Sequence, residues 1–312
     1  MALSTSNAYQ TAVRNVIEGA TAAPDTFRSW AQFLTDDVAA LRLSSLHGIA
    51  SIPAWTTGDL VEKTIDTAGT KTISYTAYGC QVTIPRFQSR DLPTLEAMAS
   101  KKLGSALQNS YETLAYGLAN EAWSSSTHST ADAHPLFSAG HTTSTSGVTR
   151  SNLLTSGLDR TAVMLAISKM RKFPTHSGEF SSLADRNLTL VVPPDLEQVA
   201  REVVMSDFNG GSYGFVNAAS ADSTFTGMQA NVIKSFNMTV TVSPHLSDAN
   251  NWFICVGGPD AQDSPLIFWE RSAPQIGRRV DTDDLSVRLS LDYGVGVSMA
   301  AMPDGAVGSA VS

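Results

Sequence analysis

The feature that most constrains this chain is one run of helical periodicity, longer than a small globule needs. Asp91-Leu92-Pro93 reads as a helix start, with a carboxylate placed to cap free N–H groups and a proline in the first turn. Leu95, Ala99, Leu103, Leu107, Leu114 and Leu118 then recur near one helical face, and no proline follows before Ala133. The pattern predicts a helix over residues 93–123, about 45 Å long at roughly 1.5 Å per residue and slightly weakened at Gly104 and Gly117.

On either side the patterning is more broken. Residues 1–45 carry scattered apolar positions, with Val13, Val16 and Ile17 spaced for one or two amphipathic turns and Trp30, Phe33 and Leu34 for another. These are too few for a core of their own, so this stretch reads as an arm that packs on something else. Residues 56–91 are β-branched and alternating. Ile65 and Ile73 flank Asp66-Thr67-Ala68-Gly69-Thr70, a glycine-containing turn signal, which predicts a β-hairpin. An isolated hairpin is marginal in water and must lean on another surface.

After the long helix, residues 124–156 are rich in Ser, Thr, Gly and His and read as loop. A helix is predicted over residues 159–172, with Val163, Ile167 and Met170 on one face. LTLVV is then a buried strand ended by Pro193-Pro194, and Asp195 opens the helix DLEQVAREVVM. Strand-like segments at residues 228–242 and 252–257 complete a mixed α/β lobe. Period two returns in Leu285, Val287, Leu289 and Leu291 and again in Val295 and Val297, while the last ten residues, PDGAVGSAVS, read as a loose tail.

Composition excludes several function classes. The chain has 312 residues, 42% hydrophobic and 16% charged, which is folded-protein composition with a low charge share that suits a surface destined to be covered. Its net charge of −8 is not the footprint of a dedicated duplex-DNA reader. Cys80 and Cys255 are the only cysteines and read as a reduced, buried pair, too few for a disulfide framework or a zinc site. No apolar run is long enough to span a bilayer, and MALSTSNAYQ lacks the basic-then-apolar pattern of a signal peptide.

Chemistry-bearing motifs are sparse. Gly210-Gly211-Ser212-Tyr213-Gly214 matches the G-x-S-x-G string, but a nucleophile elbow needs a strand before it, and here a helix precedes. His128, His134 and His141 with Asp132 are the densest set of possible metal ligands, without the spacing of H-E-x-x-H or paired cysteines. Packing or loop hydrogen bonding is the preferred role for them. Gly294 and Gly296 begin a dinucleotide-like string that ends at Met299 inside a strand, so no helix N-terminus follows to hold a pyrophosphate. No G-x-x-x-x-G-K-[ST] string occurs. The residues therefore support no catalytic, cofactor or metal assignment, and the chain reads as a non-enzyme.

One order of segments is more specific. HPLFSAGHTT, then LDRTAVMLAISKMRKF, then LTLVVPPDLEQVAREVV, across residues 134–204, resembles the central region of the Mu-type major head subunits of tailed bacteriophages. The resemblance spans residues 90–300 more loosely. It implies an α+β fold of the Hong Kong 97 capsid type, with an N-terminal arm at 1–50 and an E-loop β-hairpin at 51–91 lying across an adjacent subunit. A P-domain would span 92–185 around a spine helix at 93–123, an A-domain 186–265, and C-terminal P-domain strands and tail 266–312.

The function so implied is a major capsid protein that self-assembles into pentamers and hexamers of an icosahedral shell around double-stranded DNA, held without sequence-specific binding. Its location would be the virion, after assembly in the bacterial host cytoplasm. Portal and decoration proteins are expected partners. Because the chain begins without a long extension before the arm, scaffold and maturation protease are expected as separate proteins. Two rivals differ in class: an encapsulin-like shell enclosing protein cargo, and a serine or metal hydrolase using Ser212 or the histidine cluster. Lys63, Lys71, Arg86 and Arg90 interleave with Asp59, Glu62, Asp66 and Asp91, as a solvated edge that blocks stray pairing or as inter-subunit salt bridges. Lys63, Lys71, Arg86, Arg90, Asp59, Glu62 and Asp66 are the inter-subunit contact candidates.

Overall fold

The computed structural model describes residues 2–47, 66–92, 94–124, 128–142, 149–174, 185–207 and 231–311. In chain order the first half holds α1 (Ala2–Ala22), β1 (Gln32–Thr35), β2 (Leu41–His47), β3 (Asp66–Ile73), β4 (Thr76–Ile84), α2 (Arg86–Asp91) and α3 (Leu95–Asn120). Three two-residue strands follow, β5 (His141–Thr142), β6 (Thr149–Arg150) and β7 (Leu153–Leu154), then α4 (Arg160–Lys172), β8 (Leu188–Val192) and α5 (Glu197–Met205). The last are β9 (Met238–Val242), β10 (Trp252–Val256), β11 (Leu266–Val280), β12 (Val287–Met299) and β13 (Ala306–Ser309).

Two sheets organise these elements. One has the order β1-β11-β12-β4, the other β7-β13-β10-β8-β9, while β2 and β3 form a separate two-stranded ladder. The long helix α3 lies on the first sheet because Leu103, Leu107, Tyr111, Ala115 and Leu118, three or four residues apart, bury one stripe. A 3₁₀ turn at Glu121–Trp123 extends it to the expected end. Its start differs from expectation: Asp91 closes the short helix α2, and α3 begins at Leu95 after Thr94, which makes no side-chain cap. Around the second sheet, α4 and α5 pack on the fully buried strands β8 and β10. α4 begins as read, with Asp159 Oδ1 accepting the Ala162 N–H at 2.6 Å.

The segment read as an arm in need of a partner finds one in its own chain. Instead of isolated turns, residues 2–22 form one helix, and α1 and α3 meet backbone to backbone through two glycines. A Cβ at Gly104 would lie 2.0 Å from the Val16 carbonyl oxygen, and one at Gly19 would lie 2.1 Å from that of Lys101. Phe27 and Trp30 are fully buried, and Phe33 and Leu34 lie on β1, parallel to β11, rather than on a helical turn. The buried Glu112 accepts hydrogen bonds from the backbone N–H groups of Thr26 and Phe27 and from the Thr26 hydroxyl, fixing the turn that carries Phe27. These aromatics were too few to make a core alone, but they complete one that α3 and β11 begin.

The expected hairpin also changes place. Residues 66–70, read as its turn, are the first half of β3, and β3 pairs antiparallel with β2, from Leu41 opposite Ile73 to His47 opposite Asp66. β-Branched threonines at 67, 70 and 72 lie around Gly69, which is a glycine within a strand rather than a corner. The segment that joins β2 to β3, residues 48–65, lies outside the described residues. β4 leaves this ladder and joins β12, with Thr76 opposite Val295 and Ile84 opposite Val287.

The C-terminal end departs most from its reading as a tail. β13 is wholly buried between β10 and β7, and Gly308 is pressed on the Phe137 ring so closely that a Cβ there would lie 2.5 Å away. Four small residues, Ala306 to Ser309, suit a crowded central strand as well as they suit a loose end. Leu285 is not part of the period-two strand. It sits in the β11–β12 turn with φ 55°, a left-handed conformation that costs a branched residue roughly 1–2 kcal/mol, and it is exposed. Cys255 is buried, which pushes its thiol well above the usual range, whereas Cys80 is exposed on β4, so the expected buried pair is one buried and one accessible thiol.

Candidate subunit-contact surfaces

The HPLFS loop and its histidines form a buried polar knot between the two sheets. His141, fully buried, places Nδ1 2.8 Å from Asp132 Oδ2 and Nε2 3.0 Å from the Leu136 carbonyl oxygen. Asn152 donates to that same carbonyl at 2.7 Å and to the Ala306 carbonyl at 3.2 Å, tying the loop to β13. Leu136 and Phe137 fill the core beneath, Phe137 against Trp123 and Phe253.

Electrostatics hold the knot together. Burial alone would raise the Asp132 carboxyl, but hydrogen bonds from His141 and Thr130 outweigh it and hold the group well below the usual carboxylate range. Asp304 is pushed up to about 6 by burial, against the pull of Arg150, whose buried guanidinium lies 3.3 Å away, donates to the Pro174 carbonyl at 2.6 Å and rests on the Phe173 ring.

A histidine–aspartate pair invites comparison with a hydrolase dyad, but the geometry lacks the needed free nitrogen. A carbonyl oxygen can only accept, so Nε2–H is committed to Leu136 and cannot take a proton from a nucleophile. His134 stands with its ring 5.9 Å from His141, while His128 is drawn away to Glu121 at 2.8 Å. Among the described residues no three His, Cys, Asp or Glu side chains are grouped to hold a metal. Ser212 and its glycine-rich string lie outside the described residues, as do Asp59, Glu62 and Lys63. The arrangement supports packing, not turnover.

Of the remaining contact candidates, Asp66 opens β3 opposite His47. The Lys71 ammonium donates to the Ser129 carbonyl of its own chain, and burial pushes its pKa down to about 8. The ammonium is still charged at neutral pH, but holding that charge costs the fold more than it costs the unfolded chain. A Lys71→Met variant is expected to melt higher than the native chain at pH 7. That advantage should shrink as pH rises from about 8 toward the ordinary lysine value, because the native fold then sheds a proton that the unfolded chain still holds. Melting curves across pH 7–11 check this; a difference that grows with pH contradicts it.

Arg86 and Arg90 remain exposed on α2 and make no ion pair among the described residues. They belong to one end of the molecule. There Glu96 at the start of α3 grips Arg278 of β11, at 2.5 and 3.2 Å, and Ile84 of β4 stands opposite Val287 of β12. Pairing thus sets α2, the first turn of α3 and the 281–286 turn at one end of the fold. Five of the eleven large apolar side chains exposed among the described residues gather here: Phe87, Leu92, Met98, Val280 and Leu285. The sequence reading singled out none of these five as exposed. Phe87 directly after Arg86, and Leu285 directly after Asp283-Asp284, were the signals available.

Comparison with known proteins bears on the whole architecture. A family model described as phage capsid protein matches residues 67–309. It bears on that family as a whole and does not single out Mu-type head subunits. No protein of curated function matches by sequence. Among solved structures, the chain is similar to the capsid of cyanophage P-SCSP1u, with TM-score 0.56 and 12% identity over 93% of this chain and 89% of that one. It is similar to the procapsid of bacteriophage JBD30, with TM-score 0.53 and 11% identity over 100% of this chain and 76% of that one. A virus-like particle from Pyrococcus furiosus gives TM-score 0.54 and 11% identity over 95% and 96% of the respective chains. At such identities these likenesses show the fold, an α+β capsid fold of the Hong Kong 97 type. The family match and the fold agree: the chain belongs to the phage capsid protein family, whose members are shell-forming structural proteins and not enzymes.

Proposed function

We propose that this chain is the major head subunit of a tailed bacteriophage, tiling as pentamers and hexamers into an icosahedral shell that encloses double-stranded DNA. The observation that carries the reading is the β2–β3 ladder, which belongs to neither sheet. Among the described residues its base is anchored where Ile73 meets Trp269 and Ile267, with Leu41 and Leu43 alongside, and where Lys71 donates to the Ser129 carbonyl. A two-stranded ladder is marginal by itself in water, so its outer part requires another surface, and an adjoining subunit supplies one. In capsid terms this ladder is the E-loop, α3 with the first sheet is the P-domain, and the second sheet with α4 and α5 is the A-domain, to which β13 also belongs. Many weak contacts of this kind add up in a closed shell.

The net charge of −8 supports enclosure of DNA without tight adhesion to it. Scaffold, maturation protease, portal and decoration proteins are the partner chains of such a head, assembled in the bacterial cytoplasm. Nuclease treatment of particles purified from infected or expressing cells tests the reading. DNA protected inside the shell is expected. Particles that hold a protein cargo and no DNA would instead make this an encapsulin-like container.

A further inference from the structure

One end of the molecule carries two unlike patches. The first is the 281–286 turn. Its Asp281 is spent inside the chain, on Arg288 at 2.5 Å and on the Asp283 N–H at 3.0 Å. Asp284 accepts the Ser286 N–H at 2.8 Å, so the turn is stiff and presents Asp283 and Asp284 outward. Leu285 is held in its left-handed conformation with its side chain 44% exposed, and Val280 at the turn's base is 40% exposed. An exposed leucine held in a left-handed backbone conformation is strain of the kind that clusters at contact and ligand sites.

The second patch is the shoulder formed by α2 and the start of α3. Phe87, 74% exposed, sits between Arg86 and Arg90, with Leu92 and Met98 alongside at 58% and 65%. Each patch is thus an apolar centre beside charge, net acidic on the turn, where Asp283 and Asp284 outnumber the exposed Arg279, and net basic on the shoulder, where Arg86 and Arg90 outnumber the exposed Asp91. The Ile84–Val287 pairing and the Glu96–Arg278 ion pair set them at one end of the fold, and no ion pair joins them among the described residues. Both are exposed, so each is open to a neighbouring copy.

We propose that the acidic 281–286 turn of one copy docks on the basic α2 shoulder of the next, Leu285 against Phe87 and Asp283 and Asp284 against Arg86 and Arg90. This rests on the shell-forming reading and names one of the contacts through which copies associate. Because the two surfaces differ, the contact is heterologous and propagates head to tail until a ring closes. Charge complementarity sets register and raises the association rate, so added salt weakens it.

The full-length chain and three variants test this by sedimentation velocity at low and high salt. D283R/D284R makes both patches basic, R86E/R90E makes both acidic, and the fourfold exchange restores complementarity while keeping the native net charge of −8. Each reversal alone should raise the concentration needed for association about tenfold or more, and the exchange should recover it. All four residues are exposed, so melting temperatures should stay near native in every variant. If the native chain and both reversals associate alike, the docking contact is wrong and the shell reading stands. If the native chain is monomeric at every concentration and salt, the shell reading falls and the contact with it.

Discussion

Removing residues 303–312 should leave a chain that cannot fold its second sheet and is recovered only as aggregate. A tail of small residues would ordinarily be dispensable. Here Ala306 to Ser309 occupy an interior position between β10 and β7, every one buried. Their loss strips the ladder partners from Trp252, Phe253, Ile254 and Cys255, and each buried backbone group left unpaired costs about 1–3 kcal/mol. It also frees the Asn152 side chain from the Ala306 carbonyl and the Ser309 hydroxyl from the Ser156 carbonyl, which tie the HPLFS loop and the approach to α4 to this strand. Several such losses together rival the about 5–15 kcal/mol that holds a domain folded. Circular dichroism and solubility of the truncated chain check this; a soluble product melting within a few degrees of native would contradict it.

Trp30→Ala should be the most damaging single substitution near the N-terminus, at about 3–5 kcal/mol for a fully buried tryptophan. The ring sits 5.0 Å from Tyr116 of α3 and 5.7 Å from Phe253 of β10, and its Nε1–H donates to the Tyr116 hydroxyl at 3.0 Å. One side chain thereby joins the N-terminal segment, the long helix and the second sheet. The melting temperature should fall by roughly 6–20 °C, scaling at about 2–4 °C per kcal/mol for a chain of this size. A shift below 2 °C would mean that the segment read as an arm does not pack on its own body in solution.

How much of this was legible in the sequence depended on whether a residue's neighbours were near in the chain. The α3 stripe and the buried strand LTLVV were legible because helical period and β-branched runs are local signals. So was α4, because Val163, Ile167 and Met170 repeat at helical spacing within one short segment. The HPLFS loop was legible as a family resemblance, but its reason was not: Phe137 packs on Phe253 and Gly308, more than a hundred positions away. The same holds for Trp30 and Phe27, which looked sparse until α3 and β11 were placed around them. Gly69 misled because glycine marks both turns and strand interiors, and only the β2 register decides between them. The 303–312 stretch misled because smallness is the signature of a tail and also of a central strand crossed closely by an aromatic ring. Among the contact candidates, charge could be seen but not its orientation. Lys71 turned inward to Ser129, while Arg86 and Arg90 stayed outside beside a phenylalanine that no periodicity marked as exposed.

The central claim is that this chain reaches its working state by tiling with copies of itself. Electron microscopy of the purified full-length chain, imaged across a concentration series, tests it most directly: curved shells, rings or discrete capsomers are expected, and a strictly monomeric particle at the highest concentration would contradict it.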